Sequence, residues 1–109
     1  MKLEQLDERQ ASDALAALGN RTRLRVYRLL VRAGQAGLIV GEIQARTGVA
    51  ASTLAHHLAT LAKADLISQE RQGRETLCRA HYGQVDAMIA YLTENCCGRL
   101  DELQNDDAA

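Results

Sequence analysis

The 109-residue chain has no proline, no phenylalanine and no tryptophan, and only three tyrosines. A β-sandwich draws on β-branched and aromatic residues and on proline-marked turns, so this composition argues against that class. No run approaches the ~18 consecutive apolar residues that mark a membrane-spanning helix. Residues 1–10 are charged and lack the apolar core of a secretion signal. The cysteines are Cys78, Cys96 and Cys97. An odd count without a signal reads as reduced thiols in the cytoplasm, not as a disulfide framework. What remains is 47% hydrophobic and 25% charged, rich in the helix formers Ala, Leu, Arg, Gln and Glu. The length suits one domain.

Apolar spacing predicts mainly helix. A first helix spans Leu6 to Leu18, with Ala11, Ala14, Leu15 and Leu18 as its stripe, and Gly19-Asn20 ends it. Asn20 is a suitable N-cap for a second helix over Arg21 to Ala33, whose wide apolar arc suggests the buried centre. After a loop marked by Gly34 and Gly37, a short helix runs from Val40 to Thr47 with Ile43 inward. A fourth spans Ala50 to Ala64, with Leu54, Leu58, Leu61 and Ala62 on one side. The period then changes to two, and Leu66–Arg71 and Glu75–Arg79 around Gln72-Gly73 read as a β-hairpin. A last helix begins near Tyr82, with Val85, Met88, Ile89, Leu92 and Cys96 as its stripe. Two helices joined by a short glycine-containing turn and followed by a hairpin make a winged helix-turn-helix, here of about five helices and a two-stranded wing. The domain is expected over 1–98, and the acidic tail 99–109 is expected to be disordered.

A formal net charge of −1 argues at first against a nucleic-acid partner. The charge is not spread evenly. Residues 1–20 hold two basic and four acidic groups, residues 21–79 ten and four, and residues 80–109 one and six. The middle block therefore carries +6 between flanks of −2 and −5, and it coincides with the helix-turn-helix and wing. A basic block attracts phosphate by Coulomb forces and counterion release. Arg21 and Arg23, at the head of an arginine-rich helix, are candidate DNA contacts.

A recognition helix must bury one face and present short polar side chains on the other. Residues 50–64 do so. Ser52 and Thr53 occupy the first turn, where hydroxyl and backbone N–H groups reach phosphate, and His56, His57 and Thr60 extend the same face toward base edges. At the hairpin tip, Arg71 and Arg74 suit a wing lying along the DNA backbone. Adjacent histidines cannot form a metal site alone. His81 lies near Cys78, but no second base or oxyanion arrangement accompanies it, so the chain is not read as an enzyme.

Three segments, Ala17-Leu18-Gly19-Asn20-Arg21-Thr22-Arg23-Leu24, Ser52-Thr53-Leu54-Ala55-His56-His57-Leu58 and Gln69-Glu70-Arg71-Gln72-Gly73-Arg74, resemble the ArsR/SmtB family of bacterial metalloregulatory repressors. Tyr91-Leu92-Thr93-Glu94-Asn95-Cys96-Cys97 resembles the C-terminal cysteine segment of its arsenic-sensing branch. The resemblance implies a cytoplasmic homodimer joined through its first and last helices, here Leu15, Leu18, Val85, Ile89 and Leu92. It implies repression at a palindromic double-stranded operator and release when inducer binds, and no membrane partner.

The resemblance also narrows the signal. The third helix has no cysteines, and Asp86 is followed by Ala87-Met88 where a zinc-sensing last helix would carry Asp-x-His, so zinc is not expected. Thiolates select thiophilic ions, and arsenical resistance fits Cys78, Cys96 and Cys97 as ligands for trivalent arsenic, inorganic or methylated. In members that pair a wing-strand cysteine with a C-terminal one, two thiolates suffice for methylarsenite. About 21 Å of helix separates Tyr82 from Cys96, so a Cys78–Cys96 site is expected between subunits of an antiparallel pairing. The alternative is a regulator of the same fold whose thiols sense oxidation or persulfide.

Overall fold

The computed structural model describes residues 5–94 and 96. Helix α1 (Glu8–Leu18) starts two residues later than its apolar pattern, because Asp7 caps it. The Asp7 carboxylate accepts from the Gln10 amide at 2.7 Å, and the Gln10 side-chain oxygen accepts from the Asp7 amide at 2.9 Å. This reciprocal box satisfies two N–H groups that the helix leaves open. Helix α2 (Arg21–Ala33) follows at once, capped by the Asn20 side chain on the Arg23 amide at 3.0 Å. A single 3-10 turn (Gly34–Ala36) and strand β1 (Leu38–Ile39) lead into α3 (Val40–Thr47). The left-handed Gly48 (φ 72°) closes α3, donating to the Gln44 carbonyl at 2.8 Å. Helix α4 (Ala51–Lys63), strands β2 (Ile67–Gln72) and β3 (Glu75–Ala80), and helix α5 (Tyr82–Thr93) complete the chain. Among the described residues no helix is long and apolar enough to cross a membrane.

The wing is longer than its sequence pattern and carries an additional strand. β2 and β3 pair antiparallel from Ile67↔Ala80 to Gln72↔Glu75, so the turn is Gly73-Arg74, one residue beyond the expected one. Gly73 has φ 65°, as the first central position of a type II′ turn requires. β1 pairs with the other edge of β3, Leu38 opposite Cys78 and Ile39 opposite Leu77, to give the order β1-β3-β2. Two residues are too few to show a periodicity, so the sequence presents β1 as loop.

The core lies where α1, α2 and α4 meet the sheet. Leu54, Leu58 and Leu61 of α4 pack with Val26, Tyr27 and Leu30 of α2, Ile43 of α3, Leu66, Ile67 and Cys78. Burial of the α2 arc is narrower than its composition suggests: Leu24 and Val31 are exposed. In α1 the buried row is Ala11, Ala14 and Ala17, and in α5 it is Gln84, Ala87 and Met88. Leu15, Ile89 and Leu92 are therefore left outward, at 42%, 52% and 57% exposure, while Leu18 and Val85 are half-buried against the core. Large aliphatic side chains left this open on two adjoining helices give an apolar surface that no other described residue covers.

Gly37 holds β1 close against β3. It has φ 66°, and a Cβ there would lie 2.5 Å from the Cys78 carbonyl oxygen. Gly48 has a similar φ but open space around it. Gly48→Ala is thus expected to cost about 1–2 kcal/mol from the left-handed backbone alone. Gly37→Ala adds a backbone clash and should cost about 3–4 kcal/mol. Urea unfolding of the two variants measures the difference; equal losses would show that the β1–β3 approach is not a constraint.

Candidate nucleic-acid interface

Helices α3 and α4, joined through Gly48-Val49-Ala50, form the helix-turn-helix. Burial of Leu54, Leu58 and Leu61 turns the other side of α4 to solvent, where Ser52, Thr53 and His56 are exposed. Ala50, the N-cap, offers no side-chain acceptor, so the first N–H groups of α4 keep their capacity for an anion beside the Ser52 and Thr53 hydroxyls. Thr60 lies two turns along, half-buried, with its hydroxyl donating to the His56 carbonyl at 3.1 Å.

Arg23 and His57 occupy a different setting from the one their sequence neighbours suggest. Arg23 Nε donates to the Ala17 carbonyl at 2.7 Å, and its Nη1 lies 3.3 Å from His57 Nδ1. A guanidinium only donates, so His57 Nδ1 accepts, and the ring is neutral with its proton on Nε2. One side chain thereby ties the end of α1 to α2 and α4. Desolvation first, then the Arg23 charge and His56, hold the His57 pKa below the usual histidine value. Of the two adjacent histidines, His56 faces out and His57 braces the helix that carries it. The sequence gives no sign of this division, because it depends on which neighbour α2 presents.

The wing tip carries Arg71 and Arg74, both exposed. Arg71 Nε donates to the Gly73 carbonyl at 3.0 Å, folding it over its own turn. Below the tip, Arg79 fastens the sheet. Its Nη1 meets Glu70 Oε1 at 2.7 Å across the strands, and its Nε donates to the Gln35 carbonyl at 2.8 Å. The Arg79 hydrogen bond and charge hold the Glu70 carboxyl below its ordinary pKa. Arg21 is exposed at the start of α2.

Gln84 is a functional candidate that sequence reasoning missed. It is 4% exposed and donates from Nε2 to the Ala64 carbonyl at 2.9 Å, just after α4. His81 adds a contact from Nδ1 to the Asp65 carbonyl at 2.7 Å, and its amide donates to the Leu66 carbonyl at 2.9 Å. The start of α5 is thus hydrogen-bonded to the end of the recognition helix.

Of the described cysteines, Cys78 is in the core and Cys96 is on the surface. Cys78 is fully buried in the core, its Sγ 4.0 Å from Gln69 Nε2, and desolvation raises its pKa. Cys96 is exposed beyond α5, whose twelve residues span about 18 Å. Cys97 and the tail 99–109 lie outside the described residues. Among those described, no three His, Cys, Asp or Glu side chains converge to hold a metal ion.

A helix-turn-helix domain model matches residues 18–70. The chain has the winged helix-turn-helix fold of ArsR-like regulators. The fold is that of DNA-binding transcriptional regulators, which are not enzymes. An ArsR family transcriptional regulator of 24% identity superposes with a TM-score of 0.73, covering 94% of this chain and 97% of that one. A possible transcriptional regulator for arsenical resistance is 25% identical, with a TM-score of 0.66 over 89% of this chain and 98% of that one. The homodimeric winged helix-turn-helix DNA-binding domain of a possible ArsR-family regulator from Mycobacterium bovis is 23% identical, with a TM-score of 0.63 over 80% and 81%. No curated protein sequence matches the chain significantly.

Two measurements follow from these environments. Because the folded state lowers the His57 pKa, unfolded chains bind more protons there. Stability from this group is present above the unfolded histidine value of about 6.5 and is lost as pH falls through it toward the folded value. His57→Gln, which keeps an acceptor for Arg23, should flatten that part of the urea midpoint against pH; an unchanged profile refutes the assignment. In a Cys96→Ser/Cys97→Ser variant, Cys78 should resist a water-soluble disulfide reagent in native buffer and react once in urea. Rapid native reaction would show that the thiol is open to solvent.

Proposed function

We propose that the chain is an ArsR-family transcriptional repressor, active as a homodimer on a palindromic operator and released by trivalent arsenicals. The observation that carries the DNA reading is the pairing of an outward polar face on α4, Ser52, Thr53 and His56, with a cationic wing tip, Arg71 and Arg74. Support for the dimer comes from the exposed Leu15, Ile89 and Leu92 on adjoining helices and from the homodimeric relative. Two copies related by a two-fold axis would present two α4 helices to two half-sites.

The arsenical reading rests on the exposed Cys96 and its sequence neighbour Cys97. Two vicinal thiolates suit trivalent arsenic, which takes sulfur without requiring nitrogen. Cys78 contributes only if β3 opens, since its thiol is buried and held protonated. Ligation beyond α5 would act on α4 through the Gln84 and His81 contacts, which gives the signal a physical route.

The test is a release assay under reducing conditions on a palindromic duplex selected from a random library, with arsenite and phenylarsine oxide as ligands. Wild type and Cys78→Ser should be released, and Cys96→Ser and Cys97→Ser should remain bound. Failure to select any duplex overturns the DNA reading. A response unchanged in every variant overturns the thiol assignment. Release by a disulfide-forming oxidant alone transfers the reading to redox sensing.

A further inference from the structure

A second basic surface lies apart from α4 and the wing. Arg21, Arg25, Arg28 and Arg32 are all exposed on α2, at spacings of four, three and four residues that place them on one side of the helix. Arg46 of α3 faces them, and together they wall a groove of about 310 Å³ with Leu24 and Leu29 in its lining. The arginine stems have apolar surface to lie on while their heads reach water. The one ion pair among the described residues joins Arg79 and Glu70, so no described carboxylate neutralises any of the five. Like charges this close repel, and the arrangement is relieved when a polyanion occupies it.

The position of the groove selects the polyanion. Arg46 and Thr47 line it and end α3, immediately before the turn into α4. It therefore opens beside the N-terminal end of the recognition helix. In a helix-turn-helix the first helix crosses the DNA backbone. From Arg21 to Arg32 the arginine row runs about 16 Å, enough to face about four phosphates of one strand.

We propose that the α2–α3 groove holds DNA backbone phosphates flanking the stretch addressed by α4, as a contact independent of base sequence. This rests on the DNA-binding reading above. It assigns Arg25, Arg28, Arg32 and Arg46 a role distinct from that of α4 and the wing. It also separates these residues from Arg23, whose guanidinium is engaged with Ala17 and His57. A free polyphosphate shares the same chemistry, and the experiment distinguishes the two sources.

Binding to a mixed-sequence duplex of about 40 bp, measured across salt concentrations, reads the number of phosphates engaged through the slope of log K against log salt. R28Q/R32Q should lower that slope by about 2, since each phosphate contact contributes about 0.9. R9Q, which removes an exposed charge on α1, should leave it unchanged. Equal effects per charge removed, or no effect of R28Q/R32Q, overturn the groove assignment while wild-type binding upholds the DNA reading. No binding by wild type at low salt overturns that reading and the groove with it. Calorimetry with tripolyphosphate and no DNA is the remaining arm. Saturable uptake lost in R28Q/R32Q, with the DNA slope unmoved, assigns the groove to a small polyanion and overturns the proposal.

Discussion

Burial of Leu54, Leu58 and Leu61 is the constraint on which the rest of the molecule depends. These three side chains are sealed at 1% exposure or less between α2, α3 and the sheet. Each buried leucine contributes roughly 1.5–3 kcal/mol of transfer free energy, and their spacing leaves α4 one rotational setting that buries all three. That setting turns Ser52, Thr53 and His56 outward. The apolar face thus decides what the polar face can offer a partner. Arg23 then locks the setting from the side, joining Ala17 at the end of α1 to His57 on α4.

A second organising feature is the separation of charge along the chain. The central block of +6 folds into the helix-turn-helix and wing, while ten of the 14 acidic groups lie in the flanks. Net charge near zero limits long-range attraction of the whole molecule to polyanions but leaves a strong local field on one unit. The fold sharpens this further. Among the ten basic residues of the block, Arg79 is neutralised by Glu70 and Arg23 is turned into the helix junction. The exposed arginines of α2 and the wing tip are left to face the solvent.

Much of the architecture was legible because it follows from short-range rules. The Asn20 cap, the Gly48 stop and the leucine row of α4 are local signals, and α2 and α3 have the predicted limits. The elements that escaped are those whose stability comes from elsewhere. β1 exists only because β3 offers a free edge and Gly37 permits close approach. Gln84 reads as an ordinary polar helix residue, yet it is buried because α5 packs over the end of α4. The site was legible as a set of residue types and not as an arrangement. His56 and His57 look equivalent in sequence, and the neighbour on α2 separates them.

By itself, the sequence determined the class of fold, the order of its five helices and hairpin, the polar face of α4 and the concentration of positive charge in the central block. These depend on periodicity, caps and composition, which act over a few residues. Only the tertiary structure decided which arginines stand in solvent and which hold helices together, because that requires knowing what packs beside them. It also decided the standing of Cys78. In the sequence Cys78 is one of three candidate ligands. In the fold it is a core residue whose thiol pKa is raised by burial, because β3 directs it into the core instead of toward the surface.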